Sequence, residues 1–262
     1  MLLIMTVKAD HSTAEVIEWL LHSNTEFVRL NGDVPISNMC IEVYENGSIN
    51  MSLFGADNSY YLFDKISKFW YRRGDLTTFK PALMSNKRQA LRILEEEWQV
   101  LKKFILLLLE ERPHLGSLAK EENHNKLIDL VKAASAGLCI PQTLVTSKKE
   151  SLQGFSNSIT KAIKDIFLIH KRNRIWAVET KQVEPNNLQI LSNRVFPTLL
   201  QTEIMKSYEL RVFFIAGEFY SMAIFSQSNT QTKVEFRNYD RNVTNHQKCT
   251  TNLHQKCTTD KS

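Results

Sequence analysis

Cysteine is scarce. The four in 262 residues are Cys40, Cys139, Cys249 and Cys257, too few and too widely spaced for a disulfide framework. A reducing compartment follows, and the cytoplasm is the expected location. No long hydrophobic run is present either. The longest, residues 104–109, is far short of the roughly 20 apolar residues that span a bilayer. Residues 1–7 are apolar but lack a basic n-region and a cleavage site, so they read as a first strand and not as a targeting segment. Nor is there a strong charge of one sign. The net charge of +5 by itself implies neither nucleic acid nor membrane, although a mildly basic surface suits an acidic or polyphosphate substrate. Basic residues are scattered and not interleaved with aromatics, which speaks against a nucleic-acid partner.

What is present is an ordinary globular composition, 43% hydrophobic and 23% charged, enough for one large domain or two smaller ones. The order of patterns at the start is strand (2–7), helix and strand (27–30), a βαβ opening that predicts a parallel sheet. The helix is expected to open at His11-Ser12, with Ser12 as N-cap, Glu15 at the capping-box position, and an apolar face of Val16, Ile17, Trp19, Leu20 and Leu21. Glu45-Asn46-Gly47 marks a hairpin between strands at 39–44 and 48–54. Another strand, 68–72, ends in Arg72-Arg73-Gly74. A helix over 86–111 is rich enough in Leu and Ile to predict burial on more than one side, and Pro113 and Gly116 stop it. A further helix covers 125–136 and ends at Gly137. A short strand follows at 143–146, and from Ser158 the pattern is mostly β, with strands expected at 159–162, 166–170, 175–179, 198–201, 209–216, 218–225 and 232–237. After Asp240 the chain turns polar and repeats itself, with HQKCTT at 246–251 and again at 254–259. That composition predicts a disordered tail.

Four features carry chemistry. Lys161, in an expected strand, is usually a solvated side chain in such a setting. Its functional reading is a compact point charge presented to nucleotide phosphates. An apolar strand runs into Gln201-Thr202-Glu203-Ile204, where backbone groups can read an adenine edge and a polar side chain can hold ribose, against the plain alternative of a strand exit. Glu209 and Arg211 alternate with Leu210 and Val212 and so face one side. They form either an exposed ion pair worth about 0–1 kcal/mol or an arginine aimed at phosphate or carboxylate. Glu235-Phe236-Arg237 repeats that pattern.

The order of Asn125-Lys126, Gly137 to Thr143, Thr160-Lys161, Leu200 to Ile204, Glu209-Leu210-Arg211 and Glu235-Phe236-Arg237 resembles ATP-grasp ligases. Within them it is similar to the maturases of graspetides, the microviridin-like peptides, and in particular to the maturase of grasp-with-spasm systems. The stretches at 10–13, 69–74 and 220–227 strengthen the closer match, and the ribosomal-protein glutamate ligases are the other relative. The resemblance implies an α/β fold: a pre-ATP-grasp α/β domain over 1–115, a partial ATP-grasp domain with an incomplete large subdomain over 116–240, and the tail over 241–262. It implies ATP and Mg²⁺, with Lys161 on the phosphates, Gln201, Thr202, Glu203 and Ile204 as the adenine hinge, and Arg211 and Arg237 as catalytic cations at the γ-phosphate. The implied reaction activates a peptide carboxylate as an acyl phosphate, which a hydroxyl or amine then displaces. The implied partners are a precursor peptide with its leader and a SPASM-type radical-SAM protein, and a homodimer is compatible with the pattern.

One departure stands out. Relatives continue from the Glu-Phe-Arg strand to a Glu-X-Asn motif that holds Mg²⁺, whereas here no such motif follows Arg237. The expectations are therefore a ligase lineage and, as the competing function, a non-catalytic peptide- or nucleotide-binding remnant, with a frameshifted or truncated gene as one origin of the tail. His246, Cys249, His254 and Cys257 have zinc-ligand types in H-x2-C-x4-H-x2-C spacing, but no apolar core flanks them, so a low-complexity tail is the favoured reading.

Overall fold

The structure is a computed structural model that describes residues 1–78, 88–155, 157–164, 168–171, 174–177, 180–215 and 217–228. The strand expected at 232–237, with Arg237, and the low-complexity tail with its four His and Cys residues lie outside the described residues. The chain divides into two compact units, Met1–His124 and Asn125–Ser262.

In the first unit, β1 (Leu2–Thr6), α1 (His11–His22) and β2 (Phe27–Asn31) form the expected βαβ opening. They are followed by an antiparallel meander of β3 (Ile36–Val43), β4 (Ile49–Gly55) and β5 (Tyr60–Leu62), then β6 (Lys68–Tyr71), α2 (Arg88–Glu110), β7 (His114–Leu115) and α3 (Leu118–Glu122). The main sheet has the order β2-β1-β6-β7, all parallel, with Leu3 beside Val28 on one flank and Phe69 on the other. A continuous apolar run suits β1 because both of its faces are covered. Leu3 and Met5 join Leu30, Phe69 and Tyr71 in a core shared with Trp98, Ile105, Leu106 and Leu109 of α2, and with Met51, Leu53 and Tyr61 of the meander. Ile4 and Thr6 alternate to the other face, where Thr6 lies 3.1 Å from Thr13 of α1 through their hydroxyls.

Two helices differ from expectation. The N-cap of α1 is Asp10, not Ser12, and its side chain makes no cap bond to the helix. It is used elsewhere: Asp10 is buried, and its Oδ2 accepts hydrogen bonds from the hydroxyls of Thr6 (2.9 Å) and Thr13 (3.0 Å). Arg73 Nε and Arg72 Nε stand 3.3 and 3.6 Å from the same oxygen. Thr13 is the buried residue of α1, while Val16, Trp19 and Leu21 are exposed. In α2, burial falls on one stripe through Trp98, Lys102, Ile105, Leu106 and Leu109, while Ile93, Val100 and Leu107 are exposed. Burial on more than one side is therefore not what the described residues show.

Burial works to raise the Asp10 carboxyl. The hydrogen bonds from Thr6 and Thr13 and the guanidinium charges of Arg72 and Arg73 outweigh it and hold the group below its ordinary value. A depressed carboxyl contributes stability that is present above the unfolded value and is lost as pH falls through the folded one. Asp10→Asn is accordingly expected to cost on the order of 1–3 kcal/mol at neutral pH. The difference from wild type should shrink below about pH 4. Urea unfolding at both pH values checks this, and a gap that does not change with pH would contradict it.

Lys102 supplies the other buried charge. Its ammonium, 5% exposed, sits 3.1 Å from Asp75 and 3.0 Å from Glu122. Burial alone would lower this group, but the bonds to Glu122 and Asp75 prevail and leave it raised. A close backbone approach fixes the strand ends nearby. Gly74 has φ +92°, and a Cβ there would stand 3.0 Å from the Thr6 carbonyl oxygen, a position that favours glycine on both counts.

The second unit comprises α4 (Lys126–Ser135), β8 (Thr143–Lys148), α5 (Lys149–Gln153), β9 (Ser158–Thr160), β10 (Leu168–Lys171), β11 (Arg174–Ala177), β12 (Lys181–Gln182), α6 (Pro185–Gln189), β13 (Arg194–Thr202), β14 (Glu209–Ile215) and β15 (Glu218–Ile224). Asn125 caps α4, its Oδ1 accepting from the Leu127 and Ile128 N–H groups, as an N-cap asparagine should. The organising sheet is β12-β9-β13-β8, antiparallel throughout. β10–β11 and β14–β15 are separate hairpins. Among the described residues no helix is long and apolar enough to cross a membrane.

Candidate functional site

An inner strand of that sheet, β13, carries Gln201 and Thr202 and leads directly into Glu203 and Ile204. Leu199 and Leu200 are buried on opposite faces and anchor it. Gln201, also buried, stands opposite both Thr143 and Ile159, and its amide donates to Thr143 Oγ1 at 2.9 Å. A buried amide without such a partner would be costly, so this bond ties the end of β13 to the start of β8. The next two N–H groups are also engaged: Thr202 donates to the Gln142 carbonyl (3.0 Å) and Glu203 to the Asn157 carbonyl (2.9 Å). The Glu203 carboxylate accepts a 2.7 Å bond from the Gln182 amide. Ile204, with an exposed side chain, lies beyond the ladder. Its backbone therefore lies outside the strand pairing.

Lys161 is not inside a strand, as the sequence suggests, but directly follows β9. Thr160 stands opposite Leu200 and the strands are antiparallel, so Lys161 leaves the sheet toward Leu199, away from the end of β13 that carries Gln201. Sequence reading missed what fixes this exit. Lys126, the first residue of α4, donates its ammonium to the carbonyls of Ala162 (3.2 Å) and Lys164. A cation from a helix start thus fastens the segment that follows Lys161. The pairing crosses 36 residues, which no local pattern encodes.

Arg211 lies on β14, exposed and opposite Met222. Its guanidinium carbon is 6.0 Å from the centroid of Phe213, two residues along the same face. Glu209 is engaged by Lys206 Nζ at 2.6 Å and by the Ser226 hydroxyl at 3.0 Å. The structure thus places Lys161 and the 201–204 exit on adjacent antiparallel strands of one sheet, at opposite ends of their pairing, and sets Arg211 on a separate hairpin.

A cavity of about 510 Å³ opens beside the same strand exit. It is bounded by Leu152 of α5, Phe155, Ser158, Gln182, Leu188 of α6 and the Glu203 side chain. Of the expected site residues only Glu203 lines it. The volume is in the range of small-ligand sites, and a wall of apolar side chains with an amide and a carboxylate suits a heterocycle with polar edges. Among the described residues no three His, Cys, Asp or Glu side chains converge on a metal site.

No family model matches the sequence, and no curated protein does. Solved structures do match. The chain superimposes on an ATP-grasp ligase of Chryseobacterium gregarium, associated with a ribosomally made, post-translationally modified peptide (RiPP) and solved with ADP and a leader and core peptide. The TM-score is 0.72 at 22% identity, over 90% of this chain and 72% of that one. The macrocyclase MdnC of Microcystis aeruginosa MRC, bound with precursor peptide MdnA, gives 0.67 at 22% over 87% and 76%. The ATP-grasp ligase PsnB, complexed with precursor peptide PsnA2 and AMPPNP, gives 0.63 at 18% over 86% and 72%. The fold of this chain is that of the ATP-grasp ligases, a mixed α/β architecture.

Proposed function

We propose that this chain is an ATP-dependent ligase acting on side-chain carboxylates of a ribosomally made precursor peptide. The observation that carries the reading is the register of β9 on β13, with Lys161 and the 201–204 strand exit on adjacent strands. In a fold shared with ligases solved with ADP, AMPPNP and precursor peptides, that arrangement supports a nucleotide with its base at the strand exit and its phosphates toward Lys161. Glu203 and the Ile204 backbone would hold the nucleoside, Gln201 and Thr202 would keep the exit in shape, and Lys126 would hold the Lys161 segment. Arg211 and Arg237 are assigned to the transferring phosphoryl group, and 1–115 and 116–240 to the pre-ATP-grasp and ATP-grasp domains. Pairing with a SPASM-type radical-SAM protein, self-association and a cytoplasmic location rest on the sequence alone.

The chemistry is two displacements. A carboxylate oxygen attacks the γ-phosphorus and ADP leaves. A hydroxyl or amine then attacks the acyl carbon, phosphate leaves with the bond to the acyl oxygen, and the nucleophile gives up its proton, forming an ester or amide. Fixed cations at the phosphoryl group would stabilise charge as it develops. Incubation with ATP, magnesium and synthetic peptides bearing Thr, Lys, Asp and Glu should yield products lighter by one water, read by mass spectrometry. Conversion that persists without ATP, or none with any peptide, would sink the proposal.

A further inference from the structure

We infer that Arg72 and Arg73 form a carboxylate-binding subsite at the C-terminal edge of the first unit's parallel sheet, where an acidic peptide side chain is held. The inference rests on the reading that the chain acts on peptide carboxylates, and it adds a place where one is recognised.

Topology gives the first argument. In the order β2-β1-β6-β7 the chain leaves β1 toward β2 on one flank and returns to β6 on the other. Ligands of open parallel sheets bind outside the carboxyl ends of the strands at such a reversal. Asp10 follows β1 and the arginine pair follows β6, so both meet at that point.

Charge gives the second. Two guanidinium groups share one carboxylate oxygen, and that oxygen also accepts from Thr6 and Thr13. Oδ2 of Asp10 thereby meets four donors, and two guanidinium charges face one carboxylate. Both arginines approach Asp10 through Nε. Among the described residues no hydrogen bond engages the terminal nitrogens of either, and the side chains are 32% and 49% exposed. Asp10 thus orients two planar forks, the geometry that grips a carboxylate bidentately. Within this cluster the two guanidinium groups exceed the one carboxylate by a single charge, which matches a carboxylate better than a phosphate dianion.

The third argument is independent of the pair. At the end of β2, Asn31 Oδ1 and Arg29 Nε are buried without a hydrogen-bond partner. Asn31 stands beside Thr6, and Arg29 reaches the Val7 and Lys8 carbonyls. Unpaired buried polar atoms are rare in native folds, and a water, an ion or a ligand group is the usual partner of such atoms. Here they sit at the same sheet edge as the arginines.

The test is a titration of the full chain, labelled with ¹⁵N-arginine, with N-acetylglutamate N-methylamide, its glutamine counterpart and inorganic phosphate. The Arg Nε–H resonances are read. The glutamate compound should shift Arg72 and Arg73 saturably, with about tenfold tighter binding than the glutamine compound, a charge-assisted bond's worth. Arg73→Gln should remove that preference. Arg73→Lys, which keeps the charge without the fork, should weaken it and serves if the glutamine variant does not fold. Equal response to both compounds, preference for phosphate, or a parallel shift of exposed Arg92 would overturn the subsite. No nucleotide is present, so the titration stands apart from the ligase reading. A chain that forms no dehydrated peptide can still bind glutamate here, and a ligase whose peptide KM is unchanged in Arg73→Gln would sink the subsite alone.

Discussion

Lys161→Ala is expected to weaken ADP binding about ten- to a hundredfold, because a charge-assisted bond to phosphate contributes about 1.5–3 kcal/mol. The size follows from where the side chain leaves the sheet. Lys161 extends β9 one residue past the pairing of Thr160 with Leu200, and its segment is fastened by the Lys126 ammonium, so an ordered cation is lost and not a mobile one. Lys161→Arg keeps the charge but changes its shape, and is expected to recover only part of the affinity. The measurement is calorimetric titration of each variant at one ionic strength, since exposed charge is screened by salt. Thermal unfolding without ligand should change little, because Lys161 is only partly buried.

Ile105→Ala carries the largest expected loss of stability. Ile105 is fully buried on the inward stripe of α2, in the core that joins that helix to β1, β6 and the meander. Truncation there removes apolar burial and leaves a cavity in a close-packed interior, costing about 2–5 kcal/mol. Val100→Ala on the exposed side of the same helix should cost well under about 1 kcal/mol. Urea midpoints of the two variants compare the faces directly, and equal losses would contradict single-faced burial of α2.

What the sequence could declare was local. Glu45-Asn46-Gly47 makes its hairpin because the signals lie within four residues: Gly47 takes φ +80° and Asn46 Oδ1 receives the Ser48 N–H and hydroxyl. The Asn125 cap is likewise local. α1 begins at His11 as expected, but its N-cap is Asp10 and not Ser12, because the use of Asp10 depends on Thr6 in the preceding strand and on two arginines more than 60 residues away. The same holds for α2. Its composition speaks of burial, but only the docking of β6 and the meander decides which stripe is covered. In the candidate site, an apolar strand running into Gln201 was visible, while the Gln201–Thr143 and Lys126–Ala162 bonds, across 58 and 36 residues, were not. Lys161 was legible as a cation near a strand but not as the residue just past its end.

Calorimetric titration of ADP into the wild-type chain, with Lys161→Ala alongside, is the most direct test. Saturable one-to-one binding that the substitution weakens is the predicted result. No binding to the folded wild-type chain, or binding of equal strength in the variant, would contradict a nucleotide held between the 201–204 exit and Lys161.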